Sequence, residues 1–416
     1  MSLGTKAGGG RGAVFVSFVP VYLSVFLFVL GNGALSVLIP VYLARHGGLG
    51  PAAIGAIVGA FGTTALAARL PTGIAYTVAR GPLFLLAGGG ASALAFALVP
   101  LVHGAIWFGA LNALNGFGWS VATTTQLALL VARPPGGVST AVAMAWFSGA
   151  TGLGNMAAGV LGGAIADAIG LRATFFVLAL TPLLGALLMV RALGSRTPAA
   201  EPAGEARAKI SVRHTLLGMP LAVWVGVLVM FFINGLNALT NTFQPVLALG
   251  AGLSLTQIGA LSSIRSWASS STRFGSGPLF QRVDPRGLTL PLVVVGTVAT
   301  AAIPSAIASF LLQVPLFALA GLSRGLLRVT GSADAFDATG GDERRHGLTS
   351  ALLYGGLDLG KITLPVVGGV VAGVWGIATM LRVVPLALLA VYVVLTALAR
   401  RPPTAEPATS GQRAAP

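Results

Sequence analysis

Asn234, Asn237, Asn241 and Gln244 follow one another at steps of three, four and three residues in the stretch MFFINGLNALTNTFQP. On an α-helix that spacing puts all four amides on one face. Amides both donate and accept hydrogen bonds, so such a stripe can bind a polar neutral molecule or stitch helices together. A second stripe, Asn112, Asn115, Trp119, Thr123 and Gln126, has the same periodicity, and Asn32 and Ser36 form a shorter one. Interhelical bonding is worth ~1 kcal/mol per amide. Two long stripes on separate apolar helices favour a hydrogen-bonding binding site over stitching alone.

Charged residues in the same apolar surroundings are unevenly distributed. The first half has Arg69; the second has Arg265, Arg273, Arg324, Arg328, Asp358 and Lys361. Arg265 lies about eleven residues into its segment, ~16 Å deep. No acidic residue shares its helix, so it calls for an anion, either Asp358 or a ligand carboxylate or phosphate. Asp358 and Lys361 stand at i and i+3 and can pair within one helix. As a carboxylate near mid-segment, Asp358 is equally a candidate for taking up a proton. Arg69 and Arg273 suit a gate or scaffold. Arg324 and Arg328, one turn apart, are expected to reach water or Asp334 and Asp337.

These residues belong to a chain of 416 residues that is 55% hydrophobic and 8% charged. Its mean hydropathy of +0.88 and its sparse charge mark an all-α polytopic membrane protein, since a soluble surface needs far more charge. There is no cysteine, which excludes disulfides, thiolate metal sites and cysteine nucleophiles. His46, His103, His214 and His346 fall near loops and form no metal-binding pattern, so neither a metal nor a cofactor is expected. The net charge of +15 is scattered between apolar segments without a basic stripe, which argues against nucleic acid as a partner. No Gly-rich phosphate loop and no protease-type pair lies at membrane depth, so neither an ATP-driven pump nor an enzyme is indicated.

Twelve apolar segments can each span ~30 Å, at about 16–43, 50–76, 82–102, 105–132, 139–167, 173–193, 219–247, 254–279, 288–306, 309–333, 347–373 and 377–399. They divide the chain into a six-helix bundle at 1–193, a polar linker at 194–218, a second bundle at 219–399 and a disordered tail at 400–416. Lys and Arg concentrate in one set of connections and in the tails, whereas the other set carries only Arg45, Arg172 and Arg382. The positive-inside rule then puts both termini in the cytoplasm, in a cell's inner (plasma) membrane. The first segment is too long for a signal-peptide core and reads as an uncleaved span.

The halves repeat. GNGALSVLIPVYLARHGGLGPAAIGAIVGAFGTTALAARLPTG from Gly31 overlays LNALTNTFQPVLALGAGLSLTQIGALSSIRSWASSSTRFGSG from Leu236. Asn32 matches Asn237, Pro40 matches Pro245, Arg69 matches Arg273 and Gly73 matches Gly277. GATGLGNMAAGVLGG overlays GGLDLGKITLPVVGG, which pairs Asn155 with Lys361. In this order and spacing the chain resembles the major facilitator superfamily over essentially its whole length. The family's loop motif G-x-x-x-D-R-x-G-R-R is degraded: Thr77 replaces its Asp in the first copy, near Arg80. The second copy keeps Gly277, Arg282 and Arg286, with Gln281 in place of the Asp. Asn112 and Asn115 replace the Arg and Gln of the fourth-span pattern.

The resemblance implies two pseudo-symmetric six-helix bundles. The first, fourth, seventh and tenth spans would line a central cavity that opens alternately to either side. Asn32, Asn112, Asn115, Trp119, Gln126, Asn234, Asn237, Asn241, Gln244 and Arg265 are then the candidate substrate-binding residues. Asp358 and Lys361 are a charge pair or proton-coupling site. The glycine-rich fifth and eleventh spans become sliding interfaces. The expected function is secondary-active transport of a small organic molecule by a monomer in a lipid bilayer, with protons the candidate coupling ion. Efflux is the first reading, proton-coupled uptake through Asp358 the second, and a non-transporting sensor the third. The first-span acid and fourth-span Arg of the family's proton-antiporting drug exporters are absent, which counts against ordinary multidrug export.

Overall fold

The computed structural model describes residues 9–132, 139–194, 218–280, 283, 285–339 and 343–399. Residues 195–217 of the expected linker at 194–218, the tail at 400–416 and the side chains of Arg273, Arg282 and Arg286 lie outside the described residues. Among the described residues there are twelve α-helices and no strand: α1 Gly9–Arg45, α2 Pro51–Ala75, α3 Gly81–Leu98, α4 Ala105–Ala132, α5 Thr140–Ile169, α6 Leu171–Gly194, α7 Leu221–Gly250, α8 Leu255–Phe280, α9 Pro285–Ala302, α10 Phe310–Asp337, α11 Glu343–Trp375 and α12 Ile377–Ala399. Each expected span corresponds to one helix, and the segments read at 105–132 and 377–399 coincide with α4 and α12.

Local chemistry sets the ends. Pro51 opens α2 at a position where its missing N–H costs nothing. Ser139 and Ser309 cap α5 and α10 by accepting from Val142 and Leu312. Ser254 and Gln257 form a reciprocal capping box at the start of α8. Thr77, in the place of the family Asp, accepts the Arg80 N–H at 3.3 Å ahead of α3. Five glycines with positive φ, Gly48, Gly104, Gly170, Gly252 and Gly376, make the α1–α2, α3–α4, α5–α6, α7–α8 and α11–α12 turns. All five lie at one end of the molecule, the turn end. The chain termini and the connection from α6 to α7 lie at the other, the linker end.

Ten of the helices are long and apolar enough to cross a membrane by composition. The other two, α4 and α8, carry the amide stripe and a serine-rich sequence interrupted by Arg265. On both helices polar side chains such as Asn115, Gln126 and Arg265 are buried while apolar ones such as Phe117, Leu127 and Trp267 stay exposed, which is how polar side chains in a membrane are satisfied.

Packing repeats in each half. In the first bundle α1 contacts α5 and α6, α4 contacts α2 and α3, and α3 contacts α6; in the second, α7 contacts α11 and α12, α10 contacts α8 and α9, and α9 contacts α12. The bundles meet through α2 against α11, α5 against α8, and α1 against α7. Toward the turn end this contact is backbone against backbone. A Cβ on Gly55 would overlap the Pro365 carbonyl, and Cβ atoms on Gly159 or Gly259 would each overlap the carbonyl of the other. Such approach is what small residues permit in membrane helix pairs. Ser263 Oγ also accepts the Val160 N–H at 3.1 Å. The Asp167 carboxylate, from α5, accepts from Leu255 and Thr256 in the first turn of α8 at 2.7 to 3.2 Å. One bundle thus caps a helix of the other. Toward the linker end contact fades: a Cβ on Gly73, Gly149 or Gly355 would meet nothing within 4 Å. The bundles are therefore in backbone contact at the turn end and more loosely joined toward the linker end, where Arg69 and Asp358 bridge them.

Candidate functional site

Between the bundles lies a cavity of about 380 Å³, within the range of small-molecule sites. Helices α1, α2, α4 and α5 form one wall, and α7, α10 and α11 the other. Asn32, Asn112, Asn115, Trp119, Asn234, Asn237 and Asn241 all line it, together with Ser36. The stripes on α1, α4 and α7 thus converge on one space. They do so because amide side chains are costly against lipid and are accommodated where a helix faces protein or a cavity.

Not every amide in the stripes reaches the cavity. Gln244 is buried and donates to Gln313 of α10 at 3.0 Å. Gln126 is buried and donates to Ser24 of α1 at 3.5 Å. Neither lines the cavity. Both correct the sequence expectation: the stripes run longer than the cavity, and their outer ends stitch helices. Asn112 does both, lining the cavity while its Nδ2 donates to the Ile57 carbonyl of α2 at 2.6 Å. Asn234 donates to the Leu357 carbonyl of α11 at 2.7 Å. Trp119 stacks on Phe28, with centroids 5.4 Å apart and planes at 19°.

Gln244→Leu is expected to lower the melting temperature by several degrees, because it strands Gln313 Oε1, whose Nε2 still donates to Ile307, at a cost of about 1–3 kcal/mol. It should leave ligand affinity within twofold. Asn237→Ala should do the reverse, weakening binding about tenfold with little change in melting. Thermal unfolding followed by ligand titration separates the two, and equal effects on affinity would contradict this division of the stripe.

The charges depart further from expectation. Asp358 does not pair within its own helix. Arg69 Nη1 of α2 donates to Asp358 Oδ2 at 2.8 Å, so the ion pair joins the two bundles. Lys361 lies over the Phe61 ring, 4.0 Å from its centroid, also across the bundle interface. Arg265 has no contact with Asp358. It donates to Asn241 Oδ1 and faces the Phe317 ring at 5.4 Å, in a side pocket of about 30 Å³ shared with Asn237, Thr240 and Arg324. An amide dipole and a ring face take the role assigned to an anion. Arg324 and Arg328, expected to serve structure near water or Asp334 and Asp337, line the cavity. Arg324 reaches Asn234 Oδ1 at 3.4 Å.

Further lining residues escaped the sequence reading, among them Thr151 and Asn155 of α5, Thr242 of α7, Tyr354 of α11 and Phe61 of α2. One signal was present. Asn155 is the repeat partner of Lys361, and both line the cavity at equivalent places. Asp167 was also missed; nothing in its own helix marks it, because its partners belong to the other bundle.

Two pseudo-symmetric bundles around a central cavity lined by amides from both have the architecture of a membrane carrier. The chain belongs to the Major Facilitator Superfamily, whose family model matches residues 21–343. No curated protein sequence matches the chain. Among solved structures it is similar to a bacterial homologue of the human lysosomal transporter Spinster in an inward-facing, unoccupied conformation. The TM-score is 0.76 at 14% identity, covering 94% of this chain and 98% of that one. It is also similar to the nucleoside transporter NupG, with a TM-score of 0.75 at 12% identity, covering 92% of this chain and 99% of the other. The protein is thus a multi-pass membrane transporter by family and fold.

Proposed function

We propose that this protein moves a small polar organic molecule across a cell's inner membrane as a monomer, by rocking its bundles about the central cavity. The residues 1–193 and 219–399 are the rocking units, and the termini face the cytoplasm. The observation that carries the reading is the cavity itself: polar strips from both bundles meet in one space closed at the turn end. Asn32, Asn112, Asn115, Trp119, Asn234, Asn237 and Asn241 are its contact residues. Arg265 acts one step removed, through Asn241.

Export is the proposed direction. Proton-coupled uptake is the second reading, favoured by one observation: a carboxylate, Asp358, bridges the bundles beside the cavity. In inside-out vesicles, substrate-driven proton flux has opposite sign for the two.

The absence of native cysteine makes the rocking directly testable. Asp167 and Thr256 touch across the closed end, so cysteines at both positions should form a disulfide. Oxidation of Asp167→Cys/Thr256→Cys in proteoliposomes is expected to cut flux at least tenfold, with recovery on reduction. Each single variant should remain insensitive to oxidant. Full flux through completely cross-linked protein would rule out rocking at this end.

A further inference from the structure

Among the described residues lining the cavity are four cations, Arg69, Arg324, Arg328 and Lys361, and one carboxylate, Asp358. That carboxylate is engaged at 2.8 Å by Arg69. A cationic substrate therefore has no lining carboxylate that is not already in an ion pair. Beyond the Arg69–Asp358 pair, Arg328 on α10 and Lys361 on α11, both in the second bundle, add positive charge to the lining. A low-dielectric cleft concentrates the field of such a cluster and favours anions.

The opposite wall has a different polarity. Asn115 is 4% exposed, and its Oδ1 has no hydrogen-bond partner in the protein. Asn32 donates through Nδ2 to the Phe28 carbonyl at 3.2 Å. Its Oδ1 is likewise buried and without a protein partner. A buried acceptor left unpaired costs about 1–3 kcal/mol. Both oxygens lie beneath the cavity surface in this conformation, so a ligand reaches them only once the amides turn, and it can satisfy them only with an N–H or O–H, never with an anion's own oxygens.

We infer that the substrate is a small organic anion that also carries a hydroxyl or N–H donor. Its carboxylate or phosphate faces Arg324, Arg328 and Lys361, and its donor faces Asn32 and Asn115 across the cavity. Trp119 and Tyr354 border the space between. This inference rests on the transporter reading and adds its substrate class.

The test uses matched probes on purified full-length protein. Each set comprises a hydroxylated anion, its deoxy analogue and a neutral analogue: 4-hydroxybenzoate, benzoate and 4-hydroxybenzyl alcohol; 3-hydroxybutyrate, butyrate and 1,3-butanediol; glycerol 3-phosphate, propyl phosphate and glycerol. Thermal shifts should rank hydroxylated anion above deoxy anion above neutral analogue in at least one set. The sets separate a carboxylate from a phosphate substrate. Lys361→Gln or Arg328→Gln should weaken the anion at least tenfold, and Asn115→Ala should erase the advantage of the hydroxyl.

A second measurement does not depend on those variants folding. With the other tryptophans replaced by phenylalanine, Trp119 should be quenched several-fold more by iodide than by caesium, relative to free tryptophan amide. Stabilisation led by neutral or cationic probes, no shift with any anion, or equal quenching by the two ions would each overturn the inference. If a neutral or cationic compound is nonetheless carried into proteoliposomes, the transporter reading stands and only the substrate class falls.

Discussion

Gly159→Val is expected to reduce transport at least tenfold by propping the bundles apart at the turn end, while each bundle stays folded. The added side chain has nowhere to go, since its Cβ already overlaps the Gly259 carbonyl and Ser263 Oγ lies beside it. Overpacking of this kind costs about 1–3 kcal/mol. Here the cost falls only on the conformation in which α5 and α8 touch. It therefore shifts the conformational equilibrium by about 5- to 150-fold and leaves the bundle cores alone. Gly55→Val, against the Pro365 carbonyl on the other side of the interface, should act in the same direction. Gly73→Val, with nothing within 4 Å, is the matched control. Ser36→Cys in the cysteine-free chain reports the outcome because it lines the cavity. Labelling by an impermeant maleimide should rise from the turn end and fall from the linker end. Unchanged labelling in Gly159→Val would mean that this contact does not set which side is open.

Asp358→Asn should also impair transport about tenfold or more, for an electrostatic reason. The substitution leaves Arg69 and Lys361 facing each other across the bundle interface without the carboxylate between them. Removing one partner of a deeply buried pair costs about 3–5 kcal/mol. The side chains of Arg69 and Asp358 are 38% and 20% exposed, so solvent screening brings the figure down to about 1–2 kcal/mol. The double variant Arg69→Gln/Asp358→Asn discriminates between roles. If the pair is a latch between bundles, removing both charges should restore much of the downhill flux. If Asp358 carries a coupling proton, downhill flux returns but accumulation against a gradient does not. A double variant as inactive in downhill flux as Asp358→Asn alone would count against the latch.

Much of this architecture is legible in the sequence because the bilayer imposes a simple rule. A chain with apolar runs of membrane length and polar residues at helical period can satisfy both only by turning its polar strips inward. Asn32, Asn237 and their neighbours were found that way. What periodicity cannot give is where along a helix the cavity ends, so Gln126 and Gln244 were read as lining residues although they bond Ser24 and Gln313. Nor does it give partners across bundles. Asp358 was matched to Lys361 because sequence proximity is visible, while Arg69, 289 positions away, is brought beside it only by α2 docking on α11. Arg265 was misread for a related reason. A buried guanidinium was assumed to need a charge, and it is met by an amide and a ring.

The polarity of α8 bears on how the protein is made. Its seryl and arginyl face is unsuited to acyl chains, so it must be covered as it leaves the translocon. Its two extensive partners are α5 and α10; Arg265 is held by Asn241 of α7, within its own half, whereas Ser263 bonds Val160 of α5. α5 and α7 precede α8 in the chain and α10 follows it. The serine side of α8 is therefore expected to find its cover in the half translated first, and a second half expressed alone should insert α8 less efficiently.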